Sequence, residues 1–215
     1  MQDAGLPDGA LNVITGLDHG VANKILADRR LRKLSFTGST PVGRHLLSQA
    51  SEHVLRTSME LGGNAPFIVF EDADVESARN AGGTLLTGGE IPSGRGYFYP
   101  PTVITGVPAD AEVMTTEIFG PVGPITTFST EEEALRIANS VPVGLAGYVY
   151  TRDVDRIQRM GAKLETGMVG ANIGVFSNAA APFGGVKESG LGREGSYQGI
   201  EEFLETIYVA LPNPA

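Results

Sequence analysis

Short apolar runs alternate with amphipathic helical patterns along most of the chain, and this alternation constrains the fold more than any other feature. Strands are predicted at residues 33–37, 54–59, 67–70, 168–171 and 206–211. Helices are predicted after Asp18, Ser39, Thr130 and Asp153, and over residues 197–203. Such alternation is typical of α/β proteins, so the sequence predicts an α/β fold.

Local capping signals fix where several of these helices begin. Ser39 is a favourable N-cap, and Pro41 suits the first turn of the helix that follows. Thr130 and Glu133 form a capping box before an apolar stripe. Asp153 precedes another amphipathic pattern, which predicts a further helix start at that residue.

The pattern is interrupted after Asp72. A helical pattern begins near Asp74 but meets Gly82-Gly83 within two turns, and Gly88-Gly89 and Gly94 follow. A βαβ crossover needs at least about 10–12 residues with an apolar face. We therefore expect that a segment of the ancestral fold is missing here.

Composition excludes several classes of function. The chain has 215 residues, with 16 basic and 25 acidic side chains and a net charge of −9, which argues against nucleic-acid and anionic-membrane partners. It has no cysteine, which excludes disulfides, thiolate metal sites and a thiol nucleophile. The three histidines are not clustered, so no metal site is expected. No apolar run approaches the roughly 20 residues of a membrane span and no signal peptide is visible, so a cytoplasmic protein is expected.

Four motifs could carry chemistry, although each has an ordinary structural interpretation. The Gly38-Ser39 turn before a helix could hold a phosphate, or it could be a simple strand-to-helix turn. Glu60 before Gly-Gly could be a general base, or an exposed carboxylate at a turn. Glu117 and Phe119 could contact a sugar hydroxyl and a flat ring, or belong to a loop with one packed Phe. The fourth motif, residues 182–195, has glycines interrupted by Phe, Val and Leu, which indicates a specific irregular backbone.

Taken together and in order, these motifs resemble the aldehyde dehydrogenase superfamily. The matching runs are Ser35–Ser39, Glu60–Gly63, Glu117–Pro121 and Pro182–Gly185, and residues 60–67 and 187–196 are most similar to the succinate-semialdehyde dehydrogenase branch. The resemblance implies a partial aldehyde dehydrogenase fold. Residues 1–61 would be the C-terminal half of a Rossmann-like NAD(P)-binding domain. Residues 62–190 would be a partial α/β catalytic domain with a deletion near 77–83, and residues 191–215 a C-terminal helix and oligomerisation strand.

The resemblance also implies roles for individual residues. The cofactor would be NAD or NADP, with its binding by this chain weak or absent, and the substrate a small aldehyde. Glu60 matches the general base that activates water. The other matched positions are Gly38 and Ser39 beside the cofactor pyrophosphate, Leu61 near the nicotinamide, Glu117 on the nicotinamide ribose, Phe119 packing nearby, and Ser177 on the substrate.

One departure from the family pattern changes the expected activity. Family members carry a nucleophilic cysteine in a segment that follows the helix beginning near Asp74, and that segment is missing here. We therefore expect that this chain does not oxidise aldehydes. The alternative is a non-catalytic, nucleotide-binding or oligomer-forming protein that associates with further copies of itself through its C-terminal strand.

A charged constellation follows from the same resemblance. Glu205 is expected to pair with Arg56 and Arg193, either within one chain or with one arginine from a partner, which would link the interface to the strand carrying Glu60. The ordinary alternative is three unrelated surface charges.

Overall fold

A computed structural model describes residues 2–17, 20–73 and 93–212. After a short 3₁₀ turn at Gln2–Ala4, the described helices are α1 (Gly20–Leu26), α2 (Thr40–Ser51), α3 (Glu112–Thr115), α4 (Glu131–Asn139), α5 (Val154–Lys163) and α6 (Ser196–Glu201). The described strands are β1 (Lys33–Thr37), β2 (Arg56–Glu60), β3 (Phe67–Val69), β4 (Thr102–Thr105), β5 (Val122–Ile125), β6 (Val143–Gly144), β7 (Ala146–Tyr150), β8 (Met168–Ala171), β9 (Val186–Lys187) and β10 (Gly190–Leu191). The α/β prediction is confirmed.

The first sheet has the order β1-β2-β10 and carries the candidate site at one end. β1 and β2 are parallel, with Thr37 opposite Glu60. β10 runs antiparallel to β2, with Gly190 opposite Glu60 on the other side. The end of β2 is thus enclosed by two segments that lie far apart in the sequence.

The second sheet has the parallel order β3-β7-β8 and holds the main apolar core. α4 and α5 contribute to this core, whose buried members are Ile68, Phe70, Ala134, Leu135, Val149, Met160 and Leu164. Two short pairs complete the topology, with β4 parallel to β5 and β6 antiparallel to β9.

The capping predictions are confirmed for two helices and in part for a third. The Thr130 side chain accepts a hydrogen bond from the Glu133 amide at the start of α4, and Asp153 accepts from the Arg156 amide at the start of α5. Ser39 occupies the N-cap of α2, but its side chain makes no capping hydrogen bond. The predicted cap Asp18, the helix expected near Asp74 and the deletion expected near 77–83 lie outside the described residues.

Two strand predictions need correction. β2 begins at Arg56 rather than Val54, because Val54 has a left-handed φ of 53° and ends the turn after α2. The strand predicted over 206–211 is not formed within the chain, where these residues have no regular secondary structure. Their β-branched composition favours a strand, but a strand also requires a neighbour to complete its hydrogen bonds.

In the part of the chain that the structure describes, no helix is long and apolar enough to cross a membrane.

Candidate functional site

The site is built around the end of β2, where Glu60 is the last strand residue. Glu60 is only 6% exposed. Its carbonyl accepts a hydrogen bond from the Gly38 amide at 2.9 Å, and the next amide, that of Leu61, donates to the Ser189 carbonyl at 2.8 Å. The peptide group between Glu60 and Leu61 is therefore held at both of its polar atoms, the carbonyl by the turn into α2 and the amide by the turn between β9 and β10.

The Glu60 carboxyl lies against the Gly184-Gly185 backbone. A Cβ at Gly184 would lie 2.8 Å from Glu60 Oε1, so only glycine allows this approach. Burial raises the pKa of the Glu60 carboxyl, and the nearby Glu194 raises it further, whereas the Gly185 amide that donates to Glu60 and the Arg193 charge act in the opposite direction. A carboxyl with a raised pKa is a better proton acceptor than an ordinary glutamate, which is what a general base requires.

A second carboxylate lies on the other side of the glycine turn. A Cβ at Gly62 would lie 2.5 Å from Glu117 Oε2 and 3.3 Å from Thr40 Oγ1, so Glu117 and the first residue of α2 flank Gly62. Glu117 is exposed. The N-terminus of α2 presents amides with no partner inside the helix, except at Pro41, which has no N–H. The carboxylate therefore offers acceptors for hydroxyls, and the amides at the helix N-terminus offer donors for an anion.

The remaining candidates from the sequence are placed as follows. Leu61 is buried and packs against α2, where a Cβ at Gly43 would lie 2.8 Å from its Cδ1. Phe119 is 97% exposed, so its ring is presented to solvent. Ser177 is exposed on the loop after β8, next to Phe176, whose ring lies 5.1 Å from that of Tyr148. The structure therefore brings Gly38, Ser39, Glu60, Leu61 and Glu117 around one glycine turn, and leaves Phe119 and Ser177 on exposed loops.

The charged constellation is found in part. Arg56 Nη1 lies 3.4 Å from Glu205 Oε1 and also donates to the Leu204 carbonyl, so this half of the prediction is confirmed. The pairing of Glu205 with Arg193 is not found within the chain. Arg193 Nη1 instead donates to the carbonyls of Gly185 at 3.0 Å and Gly192 at 2.7 Å, because the glycine-rich loop folds around its guanidinium. Arg193 thus belongs to the surroundings of Glu60.

Sequence reasoning missed two sets of residues near this site. Ser189 is fully buried and bridges the glycine turn to β6. Lys33 donates to Ser58 Oγ at 2.7 Å and to Glu202 at 3.2 Å, and this cluster fastens α6 to the first sheet. The serine between β9 and β10 carried a weak signal, since it is the polar residue before a glycine in an otherwise irregular run. The Lys33–Ser58–Glu202 cluster had no local signal, because its members are far apart in sequence.

Among the described residues, no group of three or more His, Cys, Asp or Glu side chains could hold a metal ion.

Comparison with known proteins identifies the family. A model of the aldehyde dehydrogenase family matches residues 1–81 and 75–209. This chain therefore belongs to the aldehyde dehydrogenase family.

The similar proteins are longer than this chain. It is 43% identical to a succinate-semialdehyde dehydrogenase of Paenarthrobacter nicotinovorans, with 100% of this chain and 64% of that protein covered. It is 36% identical to an NADP⁺ succinate-semialdehyde dehydrogenase of Escherichia coli strain K12, with 97% of this chain and 58% of that protein covered. The chain thus spans about three fifths of the length of these relatives.

Solved structures confirm the partial fold. The crystal structure of an aldehyde dehydrogenase from Brucella melitensis biovar abortus superposes with a TM-score of 0.87 at 38% identity, covering 97% of this chain and 58% of that one. A betaine aldehyde dehydrogenase from Staphylococcus aureus, solved in complex with NAD⁺, superposes with a TM-score of 0.83 at 28% identity, covering 94% of this chain and 55% of that one. The fold is that of an aldehyde dehydrogenase, of which this chain is only part.

Proposed function

We propose that this chain carries the general-base part of a semialdehyde dehydrogenase and does not oxidise aldehydes on its own. The observation that carries the proposal is the buried Glu60 carboxyl packed against the Gly184 backbone in a chain without cysteine. The family resemblance implies a thiolate that attacks the aldehyde, and this sequence supplies no thiol. A serine hydroxyl at its ordinary pKa is a poor replacement unless an adjacent base removes its proton.

The comparisons support an internal loss as the reason. The match to the Paenarthrobacter protein runs over 289 aligned positions whereas this chain has 215 residues, so 74 aligned positions hold no residue of this chain. The two parts of the family match meet at residues 75–81. Both findings support a deletion between the two halves of the Glu60 environment, which lie at residues 38–62 and 184–194.

Cofactor binding is the second part of the proposal. NAD⁺ or NADP⁺ would supply the hydride acceptor. The residues present fit a ribose and a pyrophosphate: Glu117 would accept hydrogen bonds from ribose hydroxyls, the Gly38-Ser39 turn and the start of α2 would face the phosphates, and Leu61 and Phe119 would lie beside the nicotinamide. We expect weak binding by this chain, because an affinity built from many contacts is lost when most of them are removed.

The substrate side of the proposal rests on one exposed residue. Ser177 would contribute a hydroxyl to a succinate semialdehyde-like substrate, as the resemblance implies. The names of the similar proteins, which include succinate- and glutarate-semialdehyde dehydrogenases, support a semialdehyde as the substrate class.

Aldehyde oxidation is tested by following NAD(P)H absorbance with the purified chain, succinic semialdehyde and each cofactor. The expected result is no rate above the protein-free blank, with the Paenarthrobacter enzyme as the positive control. Reduced cofactor formed in repeated turnovers, and abolished in Glu60→Gln, would overturn the proposed inactivity.

Cofactor binding is measured separately by titration calorimetry, comparing Glu117→Gln with the exposed control Glu112→Gln. Binding that is tight and unaffected by Glu117→Gln would contradict the proposed cofactor site.

An oligomer-forming role is the second candidate, favoured by the exposed apolar C-terminal segment. Six of its side chains are 58–89% exposed: Phe203, Leu204, Ile207, Tyr208, Val209 and Leu211. Since burying such a surface is favourable, we propose that residues 206–211 pair with a second copy of this chain.

Sedimentation velocity should show an oligomer for the unmodified chain and a monomer for the double variant Ile207→Lys with Val209→Lys. The matched control is Val154→Lys, at a side chain that is 64% exposed on α5. A monomeric unmodified chain would refute this role.

A further inference from the structure

Ser189 lies between β9 and β10 with none of its surface exposed, and its polar atoms are fully used. Its hydroxyl donates to the Gly62 carbonyl at 2.8 Å and accepts from the Gly144 amide at 2.8 Å. Its carbonyl accepts from the Leu61 amide at 2.8 Å, and its own amide donates to the Val186 carbonyl at 3.1 Å. One buried serine therefore joins the glycine turn after Glu60, strand β6 and the turn between β9 and β10.

The same residue supports the donor to Glu60. A Cβ at Gly185 would overlap the Ser189 side chain and lie 2.9 Å from the carbonyl carbon of Ser189, so the Gly185 backbone rests directly on Ser189. The adjacent Gly184 backbone lies against the Glu60 carboxyl, where a Cβ would be 2.8 Å from Oε1, and the nearby Gly185 amide acts to lower the pKa of that carboxyl. A shift of Ser189 would therefore move both the turn that begins at Leu61 and the amide that meets the Glu60 side chain.

We propose that Ser189 is a positioning residue whose hydroxyl holds the Glu60–Gly62 turn against the Gly184-Gly185 backbone, and so fixes the Glu60 carboxylate relative to the Gly185 amide. The relevance of this positioning to catalysis rests on the proposed general-base function. The positioning itself does not, because it is measurable on Glu60 without any turnover. The charged groups that face Glu60 are Glu194 and Arg193, and neither is bonded to the Ser189 side chain.

The direction of the effect follows from the hydrogen bond. A donor to a carboxylate stabilises its charged form and lowers its pKa. Removing the Ser189 hydroxyl leaves the Gly62 carbonyl and the Gly144 amide without this partner, which should loosen the turn between β9 and β10 and move the Gly185 amide relative to Glu60. The Glu60 carboxyl should then titrate at a higher pH.

A matched control separates this role from the general loss of a buried hydroxyl. Thr151 is also 0% exposed, but it directly follows β7 in the other sheet, and its hydroxyl donates a hydrogen bond to the Asp72 carboxylate. Thr151→Val removes a buried hydroxyl bond without touching the Glu60 surroundings.

The experiment is a carboxyl ¹³C NMR titration of chain labelled at glutamate, with the Glu60 resonance assigned by its loss in Glu60→Gln. Ser189→Ala should raise the Glu60 midpoint by about 0.5 pH units or more, and Thr151→Val should leave it within about 0.2 units. If Ser189→Ala does not fold, as judged by circular dichroism, Ser189→Cys provides the test. It keeps the shape of the side chain with a slightly larger atom in place of the hydroxyl oxygen, and it should also raise the midpoint, because thiols form weak hydrogen bonds.

A folded Ser189→Ala variant, or in its place Ser189→Cys, with the wild-type Glu60 midpoint would overturn the proposal, as would an equal rise in Thr151→Val. Failure of the dehydrogenase proposal would show instead as aldehyde turnover, so the two proposals fail in different experiments.

Discussion

Replacing Gly190 by alanine tests whether β10 is in close contact with β2, the strand that carries Glu60. Gly190 has a φ of +156°, and a Cβ there would overlap the Met59 carbonyl oxygen and lie 3.1 Å from its carbon. Met59 is 0% exposed, so it has no room to move aside.

Two costs add at this position. Overpacking a tight interior costs about 1–3 kcal/mol. A backbone conformation that side-chain-bearing residues rarely adopt costs about 1–3 kcal/mol more. Gly190→Ala should therefore lose about 2–6 kcal/mol of unfolding free energy, a large part of the roughly 5–15 kcal/mol of an ordinary domain. With a urea m-value of about 2 kcal/mol/M, the urea midpoint should fall by about 1–3 M.

The assay is urea unfolding followed by circular dichroism, with Gly161→Ala as the control. Gly161 is exposed in α5, and a Cβ there would meet nothing within 4 Å. Since alanine is the better helix former, Gly161→Ala should gain about 0.5–1 kcal/mol. A Gly190→Ala midpoint equal to that of the unmodified chain would refute the close contact between β10 and β2, and with it the enclosure of Glu60.

Three further perturbations test the site and the core. Because the pKa of Glu60 is raised on folding, its contribution to stability is complete below its unfolded pKa of about 4.3 and is lost as the pH rises through the folded value. The urea midpoint of Glu60→Gln should therefore rise relative to that of the unmodified chain as the pH is increased above about 4.3. A difference that is flat with pH would contradict the raised pKa. Thr151→Val should cost about 1–2 kcal/mol because the bond from its buried hydroxyl to Asp72 is lost, whereas the exposed control Thr105→Val should stay within about 0.5 kcal/mol; equal effects would argue against a buried network. Met160→Ala should cost about 2–5 kcal/mol because it opens a cavity in the core of the second sheet, and a loss below about 1 kcal/mol would place Met160 outside that core.

Much of the fold could be predicted because its signals are local. The Thr130 capping box and the Asp153 cap each bond an amide three residues away, so adjacent residues decide them. β1 and β8 likewise lie at the residues where apolar runs predicted strands. These elements need no knowledge of the rest of the chain.

The enclosure of Glu60 could not be predicted in the same way. β10 has only two residues and no periodicity, and Ser189 reaches a carbonyl 127 positions away. The sequence identified Glu60 through its motif, but burial depends on which distant segment covers it, and no local pattern encodes that choice. For the C-terminal residues 206–211, the local pattern predicts a strand that does not form. A strand also needs a neighbouring strand to pair with, and the described chain provides none there.

Two carboxylates close to one glycine turn are adapted to different tasks by their surroundings. Glu60 is enclosed by the Gly184-Gly185 backbone, and its raised pKa favours proton transfer. Glu117 is exposed beside the start of α2, where its carboxylate oxygens face solvent and can accept hydrogen bonds. The groups that create this difference lie before residue 74 and after residue 92. The surroundings of Glu60 are thus formed by described residues on both sides of positions 74–92, and under the proposed function they are the proton-transfer half of a site whose thiol this sequence does not supply.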